Sequence, residues 1–246
     1  MTKNNTTKKK KNNFAGKSNR YIVLGTKPWT DRLFKEQILF YEGDWFYMEK
    51  KEDLSIEKIN IIKPRYIFFL HWSWIVPDEI IDKYECVCFH MTDVPFGRGG
   101  SPLQNLIMNG HRQTKLTALR MVHELDAGPV YMKRDLCLEG NAEEIYLRAT
   151  YLSAEMIKDI TTTKPVPMPQ AGEAVVFKRR TPAQSAIPSF DSLIQLHDFI
   201  RMLDADGYPR AFIEYNGFRY EFSRANIYDG HIIADVKITP IIGVQS

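Results

Sequence analysis

Residues 64–90 read PRYIFFLHWSWIVPDEIIDKYECVCFH, and this stretch decides the fold. The apolar run Tyr66–Leu70 has the length of a strand and predicts a buried central strand. Pro77, followed by two acidic residues, marks the start of a helix. Cys86–Phe89 is a second short apolar run. A strand, a helix and a strand in this order predict a parallel sheet with crossover helices.

The same alternation continues on both sides of this stretch. Towards the N-terminus we expect strands at Tyr21–Leu24 and Trp45–Met48, separated by a helix. Towards the C-terminus we expect strands over 117–122 and 129–135, and a long amphipathic helix over 141–161. The fold class predicted from this order is α/β, with a Rossmann-like, doubly wound, mostly parallel sheet.

The composition divides the chain into four parts. Residues 1–20 hold seven basic side chains and no acidic one, which predicts a disordered basic tail. Residues 163–172 are rich in Thr, Pro and Gly and predict a linker between a main domain over 21–162 and a small C-terminal α+β region over 173–246. In that last part we expect a helix and β-hairpins that turn at Asn-Gly and Asp-Gly dipeptides.

The overall composition excludes several classes of protein. Among 246 residues, 44% are hydrophobic and 26% are charged, which is typical of a globular chain and not of a disordered or collagen-like one. Three cysteines are too few for a disulfide framework. No apolar run approaches the ~20 residues of a membrane-spanning helix, and no hydrophobic signal segment follows the N-terminal lysines. We therefore expect a cytoplasmic protein that does not contact a membrane.

The charge balance argues against a nucleic acid partner. The chain has 33 basic and 30 acidic side chains, but seven of the basic ones lie in residues 1–20. The remaining residues therefore hold 26 basic and 30 acidic groups, a net charge of −4. An enzyme that acts on nucleic acid usually carries a basic surface on its folded body.

Two loops carry the candidate chemistry. His90 ends a predicted strand, and Asp126 precedes a Gly-Pro pair in the second loop. Ligands of open α/β sheets bind at the carboxyl ends of the strands. A carboxylate beside an imidazole suits acid–base catalysis, because it orients the ring and stabilises its charged form. The residues alone leave open a structural role for His90, a nucleophilic pair with Cys88, and half of a metal site at Cys86 and Cys88. No second ligand pair has suitable spacing, so we expect no metal.

The two loops resemble the signature of formyltransferases that use N10-formyltetrahydrofolate. The first motif of that family is Asn-x-His-Pro-Ser-x-x-Pro followed by Arg-Gly. This chain has Cys88-Phe-His90-Met-Thr-Asp-Val-Pro95, followed by Arg98-Gly99. The second motif, Leu-Asp-x-Gly-Pro-Ile/Val, is present at Leu125–Val130. The resemblance covers roughly residues 20–160 and implies that the main domain is the catalytic domain.

The resemblance also implies roles for individual residues. His90 would remove the proton of an attacking amine, and Asp126 would hold the imidazole. Cys88 stands where the family has an Asn that stabilises the oxyanion; a thiol is a weak donor, so we expect another group, such as a backbone N–H, to take that role. The other implied contacts are Trp72, Trp74, Ile75, Val122, Leu125 and Asp126 for the folate, and Lys27, Trp29, Thr92, Gly97, Arg98 and Gly99 for the second substrate.

Within the family, His90–Pro102 is most similar to the sugar N-formyltransferases of pseudaminic acid biosynthesis. We therefore expect a bacterial enzyme that formylates a nucleotide-linked, UDP-type 4-amino-4,6-dideoxy sugar and releases tetrahydrofolate. Methionyl-tRNA formyltransferase and a non-catalytic folate- or nucleotide-binding relative remain alternatives. An NAD-dependent dehydrogenase is disfavoured because no Gly-x-Gly-x-x-Gly follows the first strand. The apolar C-terminal end also leaves a homodimer open.

Overall fold

The structure is a computed structural model that describes residues 19–241. Apart from its last two residues, the predicted tail over 1–20 lies outside this range. The strands are β1 (Arg20–Gly25), β2 (Asp44–Met48), β3 (Tyr66–Leu70), β4 (Cys86–His90), β5 (Phe96–Gly99), β6 (Gln113–Arg120), β7 (Val130–Cys137), β8 (Val175–Phe177), β9 (Ala211–Tyr215), β10 (Phe218–Tyr228) and β11 (His231–Pro240). The helices are α1 (Pro28–Glu36), α2 (Ile56–Ile62), α3 (Asp78–Lys83), α4 (Pro102–Met108), α5 (Ala142–Thr163) and α6 (Leu193–Arg201).

The main sheet has six strands in the order β2-β1-β3-β4-β6-β7. The pairings among β1, β2, β3 and β4 are parallel, whereas β6 runs antiparallel to both β4 and β7. The predicted α/β, Rossmann-like and mostly parallel sheet is therefore confirmed. β4 pairs with β3 in parallel, so the loop after β3 begins beside the His90 end of β4. β6 runs antiparallel on the other side, so the loop after β6 begins beside Cys86 and comes back to His90 at Asp126.

The apolar run in β3 is explained by burial on both faces of the sheet. Tyr66, Phe68 and Leu70 pack into one hydrophobic cluster. Ile67 and Phe69 pack into a second cluster. Side chains alternate between the two faces of a strand, so a central strand covered on both faces has no polar positions.

Local signals set the helix ends that frame the sheet. The Asn141 side chain accepts a hydrogen bond from the Glu144 backbone N–H, and the Glu144 carboxylate accepts one from the Asn141 backbone N–H. This reciprocal cap starts α5, which buries one face in the larger hydrophobic cluster. Ser55 and Ser192 cap α2 and α6 with a single bond, each side chain accepting from a backbone N–H three residues on.

The C-terminal residues form a three-stranded antiparallel sheet in the order β9-β10-β11. Its two turns contain Asn216-Gly217 and Asp229-Gly230, so both predicted hairpins are confirmed. The stretch between α5 and β8 contacts the main domain through a bridge between Met168 and Val130. The division into domains and a linker stays a prediction, as does a homodimer.

Two elements in the loop after β4 were not predicted. β5 pairs in parallel with β8, and α4 follows it directly. The predicted strand over 117–122 also begins earlier than expected, because β6 starts at Gln113. No helix within residues 19–241 is long and apolar enough to cross a membrane.

Candidate active site

His90 ends β4 and is buried, with 7% of its surface exposed. Its Nε2 lies 2.7 Å from the carbonyl oxygen of Gly97. A carbonyl oxygen only accepts, so this partner assigns the hydrogen of the neutral ring to Nε2 and the free lone pair to Nδ1. The Nδ1 atom lies 3.6 Å from Oδ2 of Asp126. The structure therefore brings the two predicted acid–base residues together.

The Asp126 carboxylate is fixed by the turn that contains the Arg-Gly motif. Its Oδ2 accepts a hydrogen bond from the Gly99 backbone N–H at 2.9 Å. Asp126 itself has a φ of +54°, a left-handed conformation that non-glycine residues seldom adopt. At Gly128 a Cβ atom would lie 1.7 Å from the carbonyl oxygen of Arg120, so only glycine fits there.

A cleft of about 440 Å³, called here the His90 cleft, opens beside His90. It is formed where the ends of β1, β3 and β4 meet α5 and the residues that follow β8. Its walls are mixed aromatic and basic. They include Lys27, Trp29, His71, Trp72, Phe89, His90, Met91, Gln104, Tyr146, Arg179, Arg180 and Tyr208.

Three cations in the His90 cleft make no ion pair within residues 19–241: Lys27, Arg179 and Arg180. The Lys27 Nζ donates to the backbone carbonyl of Asp206 at 2.9 Å and lies 5.6 Å from the centre of the Trp29 ring. Burial lowers the pKa of Arg180 from its usual value. The cleft lining holds these three cations against one carboxylate, that of Asp206, so it is net positive although the body as a whole is acidic, and it suits an anionic substrate.

His71 is half-buried in the same cleft, and its imidazole is neutral at pH 7. Its Nε2 lies 2.6 Å from the Thr150 hydroxyl, which itself donates to the Tyr146 carbonyl at 2.7 Å. The hydroxyl hydrogen is thus engaged, and Nε2 must be the donor to Thr150. Burial, and after it the nearby charge of Lys27, lowers the pKa of His71 to about 4. Nδ1 of His71 is left as a hydrogen-bond acceptor.

The residues predicted to hold folate lie on the two loops that flank β4. Trp72 and Trp74 meet edge to face, with ring centres 4.7 Å apart. Ile75 and Leu125 are 93% and 69% exposed, and Val122 is half-buried. Exposed apolar side chains on both loops, together with a buried Trp72 Nε1 that has no hydrogen-bond partner among residues 19–241, fit a planar ring with polar edges.

Four residues predicted to bind the second substrate do not line the His90 cleft. Arg98 donates to Gln170 and Glu124, so its guanidinium contacts protein groups. The hydroxyl of fully buried Thr92 donates to the Gly97 carbonyl. Gly97 and Gly99 contact His90 and Asp126 through backbone atoms. Lys27 and Trp29, from the same predicted set, do line the cleft.

Cys88 is half-buried near the Asp126 loop. Burial raises the pKa of its thiol well above the usual value, and the charge of Asp126 raises it further. The thiol therefore stays protonated at neutral pH, which disfavours a nucleophilic pair with His90. Residues 19–241 contain no group of three His, Cys, Asp or Glu side chains that could hold a metal ion.

His71, Arg179 and Arg180 line the cleft but were not predicted as site residues. The signal for the arginines was the run Lys178-Arg179-Arg180 directly after β8. That run lies about 90 residues after His90 in the chain, and only the pairing of β8 with β5 brings it to the cleft. His71 could have been suspected because it directly follows the central strand.

Comparison with known proteins supports one family. Residues 182–239 match the C-terminal domain family of methionyl-tRNA formyltransferases. The structure is similar to a methionyl-tRNA formyltransferase from Clostridium thermocellum, with 48% identity and a TM-score of 0.85, covering 90% of this chain and 99% of that one. The methionyl-tRNA formyltransferase of Rickettsia felis is 30% identical over 204 residues. That match covers 80% of this chain, and the chain spans 65% of the length of the rickettsial protein.

These findings overturn the expected sugar substrate. A likely sugar N-formyltransferase from Mycobacterium tuberculosis is only 17% identical, with a TM-score of 0.65, which shows the fold alone. The predicted nucleotide-linked amino sugar, and with it the place in pseudaminic acid biosynthesis, is therefore wrong. The net charge of the body also does not exclude a nucleic acid partner, because a sum over the body does not show that Lys27, Arg179 and Arg180 line one cleft.

Proposed function

This chain belongs to the formyltransferase family, and we propose that it transfers a formyl group from N10-formyltetrahydrofolate to the amino group of methionyl-tRNA. The observation that carries the proposal is the His90 cleft, in which an acid–base pair lies together with three cations that make no ion pair in the described part of the chain. The cations suit the phosphates of a tRNA acceptor end, and the His90–Asp126 pair suits proton transfer from an amine.

Formyltransferases of this family use N10-formyltetrahydrofolate as the formyl donor. We place the donor against Trp72, Trp74, Ile75, Val122 and Leu125, where apolar surface is exposed beside β4. Bound there, the donor supplies the formyl carbon that the substrate amine attacks. The apolar loops exclude water from that carbon, which protects it from hydrolysis.

His90 performs the proton transfer in this proposal. The amine nitrogen forms a bond to the formyl carbon and loses a proton to Nδ1 of His90, the nitrogen that carries the lone pair. The carboxylate of Asp126, 3.6 Å away, stabilises the charge that the ring gains. The bond from the formyl carbon to N10 then breaks, and the proton passes from His90 to N10.

The rest of the His90 cleft positions the methionyl-tRNA. Lys27, Arg179 and Arg180 contact phosphates of the acceptor end, and Trp29 offers a ring on which a base can stack. Cys88 supplies little to the oxyanion, so backbone N–H groups carry that role. A protein that acts on charged tRNA works in the cytoplasm, which is where we place this one.

The test is formyl transfer by the purified protein and by a His90→Asn variant. Asparagine keeps a polar side chain but cannot accept the amine proton at neutral pH. We expect turnover of methionyl-tRNA by the wild-type protein and a loss of at least about 100-fold in the variant. Donor binding, followed by quenching of tryptophan fluorescence, should be equal in both proteins. Substantial turnover by a folded His90→Asn variant contradicts the assignment.

A further inference from the structure

A glutamine outside both sequence motifs holds the backbone of the Asp126 loop. Gln170 is half-buried and lies in the irregular stretch between α5 and β8. Its Nε2 donates to the backbone carbonyl oxygens of Asp126 and Gly128, both at 2.8 Å. The two hydrogens of one amide group therefore fix the chain on both sides of Ala127.

Arg98 sets the orientation of that amide. Its Nε and Nη2 atoms donate to Oε1 of Gln170 at 3.0 and 2.8 Å. The two ends of a carboxamide have the same shape, but only the nitrogen end can donate to a carbonyl. A guanidinium at the oxygen end prevents the flip that would turn that oxygen towards two other oxygens.

The Asp126 loop depends on such support. Asp126 has a left-handed backbone conformation, with a φ of +54°, which persists only where surrounding contacts hold it. The carboxylate position, 3.6 Å from Nδ1 of His90, follows directly from that backbone. A shift of the loop therefore changes the distance between the two acid–base residues.

The consecutive residues Gly97, Arg98 and Gly99 connect His90, Gln170 and Asp126. The Gly97 carbonyl accepts from His90, and the Gly99 N–H donates to Asp126. The side chain of Arg98, between them, holds Gln170. The position of Gln170 is thus tied to the same turn that contacts His90 and Asp126.

We propose that Gln170 is a positioning residue for formyl transfer, which sets the place of Asp126 relative to His90 through two backbone hydrogen bonds, with Arg98 orienting its amide. The proposal rests on the proposed function, because Gln170 acts only through Asp126. It adds a requirement that neither sequence motif contains: the residues before β8 must be docked on the Asp126 loop for efficient transfer.

The first test is Gln170→Met, which keeps the side-chain length and removes both donors. We expect kcat to fall by about 10- to 100-fold, with KM for methionyl-tRNA and for the donor changed by less than about two-fold. The pH profile of kcat should also shift, because the spacing of Asp126 and His90 changes. The matched control is Gln37→Met, since Gln37 is also half-buried and donates one hydrogen bond, to Tyr41 at 2.7 Å. It should keep the wild-type kcat.

A second variant separates positioning from folding. Gln170→Glu keeps the shape and attracts Arg98, but an ionised carboxylate cannot donate to the two carbonyls. We expect this variant to fold, to melt at a lower temperature because a carboxylate oxygen then faces the two carbonyl oxygens, and at a temperature where it is fully folded to lose kcat as Gln170→Met does. The double variant Arg98→Met, Gln170→Met should be no slower than Gln170→Met alone, because Arg98 acts through Gln170.

The outcomes distinguish this inference from the proposed function. Wild-type kcat in folded Gln170→Glu, together with an inactive Asp126→Asn, overturns the role of Gln170 and leaves the function intact. A fall in kcat that only matches a fall in the folded fraction also overturns it. Wild-type turnover by Asp126→Asn, or no turnover by the wild-type protein, contradicts the proposed function itself.

Discussion

Replacing Arg179 by glutamine should weaken the binding of methionyl-tRNA and make that binding less dependent on salt. Arg179 lines the His90 cleft and makes no ion pair within residues 19–241, so its charge can meet a phosphate. Each phosphate neutralised on a single strand contributes about −0.7 to the slope of log K against log salt concentration. If Lys27, Arg179 and Arg180 each meet one phosphate, the cleft contributes a slope of about −2. Affinity then falls roughly 20-fold between about 50 and 200 mM salt.

The assay is a titration of methionyl-tRNA at several KCl concentrations with wild-type protein, Arg179→Gln and Lys115→Gln. Lys115 pairs with Asp135 outside the cleft, so its replacement removes the same charge from a different place. The slope of Arg179→Gln should be smaller than the wild-type slope by about 0.7, and that of Lys115→Gln should be unchanged. The basic residues in 1–18 contribute equally to the slope of all three proteins, so the difference between two slopes does not contain their contribution. Equal slopes for wild type and Arg179→Gln would refute the phosphate site.

Three further predictions follow from individual residues. His71 has a folded pKa of about 4 and an ordinary unfolded one, so the unfolded state takes the proton first as the pH falls below about 6.5. The free energy of unfolding, measured by urea denaturation, should therefore fall more in the wild-type protein than in His71→Gln, by up to about 3 kcal/mol between pH 6.5 and 4. A difference between the two proteins that stays constant over this pH range would contradict the prediction. Iodoacetamide at pH 7 should alkylate exposed Cys137 faster than half-buried Cys88, because burial of the Cys88 thiol raises its pKa and keeps it protonated; mass spectrometry that finds both labelled equally fast would count against it. Gly128→Ala should lower both the melting temperature and turnover, because its Cβ would lie 1.7 Å from the Arg120 carbonyl; wild-type values for both would show that the loop can move aside.

Much of the sheet could be predicted because its signals are local. β3 has the predicted bounds, since an uninterrupted apolar run is what burial on both faces requires. β5 was missed because its four residues, Phe96–Gly99, include two glycines and pair only with a strand more than 70 residues later. When a short strand is stabilised mainly by pairing with a distant strand, its own residues need not have a high β-propensity.

The site was partly predictable for the same reason. His90 and Asp126 each lie in a short motif, and the structure brings their side chains together. Arg179 lies directly after β8, and the sequence does not predict that this part of the chain contacts the main domain. The net charge of the body then pointed away from tRNA, because a sum over all residues hides where the charges lie. The proposed role of Gln170 could not be predicted from the sequence, because it depends on hydrogen bonds to two backbone carbonyl groups and not on the identity of a partner side chain.

The identity of the acceptor tests the account most directly. The purified protein should be incubated with N10-formyltetrahydrofolate and methionyl-tRNA, and the aminoacyl group should be released and analysed by mass spectrometry. We predict formylmethionine from methionyl-tRNA and no formylation of free methionine, because the cations of the His90 cleft bind the acceptor end. Formylation of free methionine as fast as of methionyl-tRNA, or no formylation of methionyl-tRNA with the donor bound, would contradict the account.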